Sequence, residues 1–271
     1  MFSVQNELLA ISEAELTTRL LPLMLAPSQR SLYERPRLSV SSGFDYTAYC
    51  LSCYTQPEGV LVLPIKGMMS RNSSYYNEQG NDMLMAMLER AAKDDHVKGV
   101  VFDNYSGGGT VDSTKTLADA IAKFPKPTAT ATAFCCSAAY WAASATNRIF
   151  VEPQSATELG SIGTIYFRIG QKGALEAAGY SIDVMRSGGA PDKALDNGFE
   201  DLTQEVRATI QAKLDVSARE FVAGVKLNRV GKLRSEGVFT GKTYGVNEAI
   251  GLGLADQKGT LSDAIKWVLK Q

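Results

Sequence analysis

The feature that most constrains this chain is a rhythm that starts at Gly59: short, nearly continuous apolar runs, each followed by a stretch with helical spacing. The runs at 59–65, 99–102, 128–134, 148–151, 181–185 and 253–255 are too short for helices and predict strands. Helices are predicted at 81–92, 112–123, just past Ser137, near Leu175, over 203–228, within the tail, and from Leu261 onward. A strand that is apolar at nearly every position is buried on both faces. Repeated β-then-α units therefore imply parallel sheets covered by helices, an α/β fold.

The residues before this rhythm read differently. Residues 6–26 carry apolar positions at helical spacing, among them Leu8, Leu9, Ile11, Leu16, Leu20 and Leu21, and predict an amphipathic helix or a pair of helices. A polar, proline-interrupted stretch from Pro27 to Gly43 follows and reads as a linker. The chain thus divides into an N-terminal helical arm with its linker, 1–55, and one main domain, 56–271. The leucine stripe of the arm is too large to leave in water, so it packs either on a neighbouring subunit or partner, or back on its own domain.

At 271 residues and 45% hydrophobic, the chain can bury one large core. A formal net charge of −1 gives no footprint for nucleic acid or an anionic membrane. No apolar run approaches the roughly 20 residues of a spanning helix. The opening Met1-Phe2-Ser3-Val4-Gln5-Asn6-Glu7 lacks a basic n-region, so neither anchor nor signal peptide is expected, and the protein reads as cytoplasmic. Cys50 and Cys53 form a C-x-x-C and Cys135 and Cys136 are adjacent, a pattern without the second spaced pair that zinc requires. All four are expected to pack as small, reduced apolar groups.

Ser137 follows Phe134-Cys135-Cys136 and opens the small-residue run Ala138-Ala139-Tyr140-Trp141. This places its hydroxyl at a strand-to-helix turn, expected to be exposed, where the free amides of the first helical turn can help hold an oxyanion. His96 is the only histidine, and its charged surroundings, Lys93-Asp94-Asp95-His96-Val97-Lys98, make it unsuitable for a Ser-His-Asp triad. If Ser137 is a nucleophile, a lysine is its base, and a lysine serves as one where burial lowers its pKa, to roughly 7–8 in favourable sites. Lys193 follows the loop Ser187-Gly188-Gly189-Ala190-Pro191-Asp192 and by position alone is either that base or an ordinary solvated lysine. Ser106-Gly107-Gly108-Gly109-Thr110 lies between a strand and a helix, and its glycines either present amides to an anion or make a tight structural turn. Neither this segment nor Gly237-Val238-Phe239-Thr240-Gly241-Lys242-Thr243 has the register of a phosphate-binding P-loop.

In this order, over about 59–265, the segments resemble the signal peptide peptidase A family of serine proteases. Tyr105 to Gly109 is similar to the family's N-S-P-G-G, with Gly107 in place of proline, and Ser137-Ala138-Ala139-Tyr140-Trp141 to its S-G-G-Y-Y. Leu159-Gly160-Ser161-Ile162-Gly163-Thr164 matches T-G-S-I-G-V, the stretch ending in Lys193 looks like K-S-G-x-x-K with a longer loop, and Gly237 through Asp256 echoes a closing glycine-rich pattern. The resemblance implies a Clp protease/crotonase type of fold and a Ser137–Lys193 dyad working through an acyl-enzyme. It further implies oxyanion amides from Gly108 or Gly109 and from Ala138, Ser161 orienting the lysine, and no metal or organic cofactor. Homo-oligomers acting on proteins or peptides are the family's habit. Its compact phage-encoded members process scaffold and capsid precursors, which makes capsid or scaffold proteins the implied partners and a bacterial cytoplasm or phage prohead the implied location. Two other readings stay open. One is an acyl-CoA hydratase or isomerase on the same fold, against which stands the lack of Glu or Asp beside Ser137; the other is a catalytically inactive assembly homologue, kept open by Ala138, Ala139 and the long lysine loop.

Overall fold

The apolar runs pair side by side because each needs cover on both faces. The computed structural model describes residues 8–11, 45–73 and 79–271. In chain order its elements are β1 (Leu8–Ile11), α1 (Tyr46–Tyr54), β2 (Val60–Lys66), α2 (Asn81–Lys93), β3 (Gly99–Ser106), β4 (Gly108–Thr110), α3 (Thr114–Ala122), β5 (Thr128–Cys136) and α4 (Ala138–Ser144). They continue with β6 (Arg148–Val151), β7 (Glu158–Gly160), β8 (Ile165–Tyr166), α5 (Lys172–Ala177), α6 (Gln204–Asn228), β9 (Thr243–Tyr244), α7 (Val246–Gly251), β10 (Gln257–Lys258) and α8 (Leu261–Val268).

The main sheet runs β10-β6-β5-β3-β2, and each of these neighbours is parallel. β5 is long enough to pair with β6 along Ala129–Thr132 and then with β7 along Phe134–Cys136, while β7 takes β9 antiparallel on its far side. Alternation along the strands separates two cores. Leu61, Leu63, Val100 and Phe102 join the larger one with residues of α2, α3, α4 and α6, whereas Val60, Val101, Ala129, Ala131 and Phe150 form the smaller one with Ala264 and Val268 of α8. Helices therefore cover both faces, as the apolar pattern requires.

The larger core is drawn tight against α4. Trp141 stacks on Phe221 of α6 at 4.6 Å between ring centroids. A Cβ on Gly224 would lie 2.6 Å from Trp141 Nε1, so glycine is what allows the two helices this close. The end of α6 is tied down by Arg229, whose fully buried guanidinium donates to Asp256 (2.9 Å) and to the Gly253 carbonyl (2.7 Å). Asp256 also accepts from the Ile149 amide at 2.7 Å. Burial pushes the Asp256 carboxyl up, but Arg229, the Ile149 amide and Lys232 together outweigh it and hold the group below its ordinary value.

Several expectations are corrected. Residues 8–11 form a strand instead of the start of a helix, because their backbone finds two strand edges to pair with; the rest of the predicted arm helix and the linker through Gly43 lie outside the described residues. The apolar run at 181–185 forms no strand, since no described strand meets it, and Met185 is almost fully exposed. The strand predicted at 253–255 starts later, at Gln257, where the chain first lies alongside β6; Leu254 and Ala255 are core residues all the same. Cys50, Cys135 and Cys136 are buried, reduced thiols, but Cys53 is exposed, on the outer side of an α1 that the sequence pattern did not predict.

Candidate active site

Ser137 occupies the turn between β5 and α4. Parallel pairing fixes where β5 ends: Cys135 lies opposite Ser106 of β3 on one side and Leu159 of β7 on the other. The strand therefore leaves the sheet level with the glycine loop and with Gly160. The Ser137 N–H donates to the Gly160 carbonyl at 2.7 Å, and the Ser137 carbonyl accepts from the Trp141 N–H at 2.9 Å. Between these anchors the backbone takes φ 57° and ψ −123°. A residue other than glycine adopts such a conformation at a cost of about 1–3 kcal/mol, and only where its surroundings over-determine it. A serine strained in this way between a strand and a helix is the geometry of a nucleophile elbow.

Ser137 is 1% exposed, and its Oγ is buried without a hydrogen-bond partner among the described residues. This corrects the expectation of an exposed hydroxyl. β5 ends between β3 and β7 instead of at a sheet edge, and all of α4 is buried above it. Burial also pushes the neighbouring Cys135 thiol well above its ordinary value, which keeps it protonated and unreactive.

The glycine loop is held by its own serine. Ser106 Oγ donates to the Gly67 carbonyl (2.5 Å) and accepts from the Gly108 N–H (3.1 Å). Met69 then clamps β4: its N–H donates to the Gly108 carbonyl at 2.8 Å, and its carbonyl accepts from the Thr110 N–H at 3.0 Å. A Cβ on Gly109 would lie 1.9 Å from the Met69 carbonyl oxygen, so this position admits only glycine. Backbone groups alternate sides along a strand. With the Gly108 carbonyl and Thr110 amide turned to Met69, the N–H and C=O of Gly109 face the opposite edge. The Gly108 amide is already taken, which leaves Gly109 as the donor of this loop. The Ala138 N–H, at the first turn of α4, has no acceptor within its helix, and α4 packs on β4. The edge that Gly109 faces is occupied by β1, which pairs antiparallel with β4, Ala10 opposite Gly109, and with β8 on its other side, Leu9 opposite Ile165.

Ser161 follows the Gly160 that receives the Ser137 amide. It is half-buried at φ 54°, with its N–H on the Lys242 carbonyl at 2.8 Å. Lys193 is not brought into this cluster. Residues 178–203 contain neither helix nor strand, and Lys193 is exposed among them, without a hydrogen bond to Ser137. Its N–H donates to the Ala190 carbonyl, and its own carbonyl accepts from Arg186 Nε at 2.6 Å. The segment is pinned at its far end: Arg186 clamps Glu200, whose carboxyl it holds at about 2, and Tyr166 of β8 donates its hydroxyl to Asp196.

One residue escaped the sequence reading. Asn104 sits on β3 two positions from Phe102 and therefore on the same face, fully buried, with neither amide atom partnered among the described residues. A buried amide without partners costs about 1–3 kcal/mol. Its only signal in the sequence was polarity within an apolar run.

The chain is similar to known proteins over much of its length. Residues 111–271 match the profile of Peptidase family S49. The chain is 32% identical over 219 residues to capsid assembly protease C of Escherichia phage lambda, and 33% identical over 222 residues to head-tail preconnector protein GP5 of Enterobacteria phage P21. Each match covers 78% of this chain but only 49% and 43% of the two phage proteins, so the chain spans about half their length. Among solved structures, an enoyl-CoA hydratase from Shewanella pealeana superposes with a TM-score of 0.47 at 12% identity, covering 84% of this chain and 79% of that one.

Proposed function

The chain belongs to peptidase family S49, and on that footing we propose that it is a serine peptidase that cleaves polypeptides through an acyl-enzyme at Ser137. The observation that carries this reading is the strained, buried turn of Ser137, whose hydroxyl has no hydrogen-bond partner among the described residues, in a conformation that stability alone disfavours. In the reaction Ser137 Oγ attacks the peptide carbonyl while its proton passes to the Lys193 amine. The amides of Gly109 and Ala138 hold the oxyanion, and collapse of the intermediate expels the leaving amine, which takes the proton from Lys193. Water, deprotonated by the same lysine, then releases the acyl group. Ser161 orients the lysine, and no metal or organic cofactor takes part.

A lysine works as a base only where its ammonium is stripped of water. Lys193 must therefore leave the solvent. The stretch that carries it displays Tyr180, Ile182, Val184, Met185 and Phe199 to solvent, a surface suited to folding against a second copy of the chain. Similarity to the two phage proteins supports capsid or scaffold polypeptides as substrates and a host cytoplasm or prohead as the place of action. Among the described residues no helix is long and apolar enough to cross a membrane.

The exposure of Lys193 favours one rival, an assembly protein that keeps the fold and has lost turnover. A biotinylated fluorophosphonate followed by peptide mapping separates the two. Label on the peptide containing Ser137 is the expected result; a protein that takes no label there, alone or assembled, is not this enzyme.

A further inference from the structure

Apart from the main sheet, the described residues hold one smaller sheet in the order β4-β1-β8. Its outer members are fixed by the domain: β4 by Met69 and the glycine loop, β8 by Tyr166 on Asp196 and by Thr164, two residues away, whose hydroxyl donates to the Leu214 carbonyl of α6 at 3.1 Å. The middle member is not part of that framework. It is a four-residue strand paired through three positions with β4 and two with β8. Without β1, two strand edges would face one another across two strand spacings, about 9.5 Å, the gap that one extended chain fills. The amide on the β4 edge is that of Gly109.

We propose that the slot between β4 and β8 is a peptide-binding cleft, and that residues 8–11 fill it as a tethered strand which withdraws when another extended peptide enters. The inference rests on the peptidase reading of Ser137 and names the regulation of that site. Recognition is by β-strand addition, through main-chain hydrogen bonds on both sides of the guest. The ligand class is an unfolded peptide lying antiparallel to β4, with an amide N–H at the position opposite Gly109, which excludes proline there. The chain's own Leu8-Leu9-Ala10-Ile11 meets these terms, and its few pairings make it displaceable.

The test uses the full chain carrying Ser137→Ala and a fluorescein-labelled peptide, Gln-Asn-Glu-Leu-Leu-Ala-Ile-Ser-Glu, followed by polarisation. If the tether fills the slot nine-tenths of the time, a competitor's apparent affinity is reduced about tenfold. Ala10→Pro removes the N–H that faces Gly109, so the labelled peptide is expected to bind about tenfold tighter, whereas a peptide with proline in place of its alanine does not bind. The converse variant, Leu9→Cys with Thr110→Cys, locks opposed positions of β1 and β4. It should lose the peptide when oxidised and regain it on reduction. Equal affinity with and without Ala10→Pro, or undiminished binding to the locked form, overturns the proposal; if the proline variant is misfolded by circular dichroism, the locked form alone decides. Phosphonate labelling of the Ser137 protein needs no strand pairing, so it keeps the two ideas apart. A labelled enzyme whose peptide affinity ignores the tether sinks only the cleft, and an unlabelled one whose affinity follows it sinks only the peptidase.

Discussion

Ser137 stands at the end of a nine-residue strand flanked by two others and roofed by a wholly buried helix, whereas Lys193 stands in a stretch, 178–203, with neither helix nor strand and much apolar surface in solvent. The first half of the candidate dyad is over-determined by the core: strand register, the Gly160 carbonyl and the α4 turn all agree on one strained backbone. The second lies in an irregular stretch held by loop contacts, among them Arg186 on Glu200 and on the Lys193 carbonyl and Tyr166 on Asp196. If the proposed dyad operates, its nucleophile is already in place and its base must be brought in by assembly or closure.

The contrast is broken most directly by mutating both ends. Ser137→Ala is expected to lower peptide hydrolysis by about 10⁴-fold or more, as removal of a nucleophile does. Its melting temperature should stay level or rise, because a buried hydroxyl without a partner costs about 1–3 kcal/mol. Lys193→Met should remove turnover as thoroughly while leaving the melt of the single chain unchanged, since the side chain is exposed. Turnover within about tenfold of the parent in the lysine variant would assign the base elsewhere.

Stability sharpens the same comparison. Asp256→Asn keeps an acceptor for the Ile149 amide but strands the buried Arg229 charge, a change expected to cost about 3–5 kcal/mol in urea unfolding at neutral pH. Because the Asp256 carboxyl is held below its ordinary value of 3.8, its contribution is present above about pH 4 and is lost as pH falls through the lowered pKa. The asparagine variant should therefore lose less stability than the parent between neutral pH and pH 3. Glu200 is shifted the same way, to about 2, yet it belongs to the open segment, and Glu200→Gln should leave the unfolding midpoint where it was.

The smallest effect is expected at His96, whose side chain is 96% exposed beside Asp94. His96→Ala should change turnover by less than about tenfold, or roughly 1.4 kcal/mol of transition-state stabilisation. A larger loss would return the histidine to the site and dissolve the contrast between a buried candidate nucleophile and an exposed candidate base.

The sequence by itself determined the parallel α/β layering, because strands apolar at every position can be covered in no other way, and it located Ser137 and the glycine loop, because strand-to-helix turns and consecutive glycines are local signals. It named Ser161 only through resemblance, and by position alone it left Lys193 either a base or an ordinary solvated lysine. What tertiary structure decided was everything that depends on a partner distant in the chain. Ser137 is buried because β3 and β7 flank β5, Gly109 and not Gly108 presents the loop's amide because Met69 and Ser106 claim its neighbours, and Asn104 is stranded in a core. Two of the failed expectations, one of a helix and one of a strand, have the same cause. Leu8–Ile11 has a helical apolar spacing yet becomes a strand, since β4 and β8 offer it two edges, while the β-like run at 181–185 stays open because no described strand offers it one. Periodicity reports which faces want burial, but a strand exists only where another backbone supplies its hydrogen bonds, and that supply is fixed by the fold as a whole.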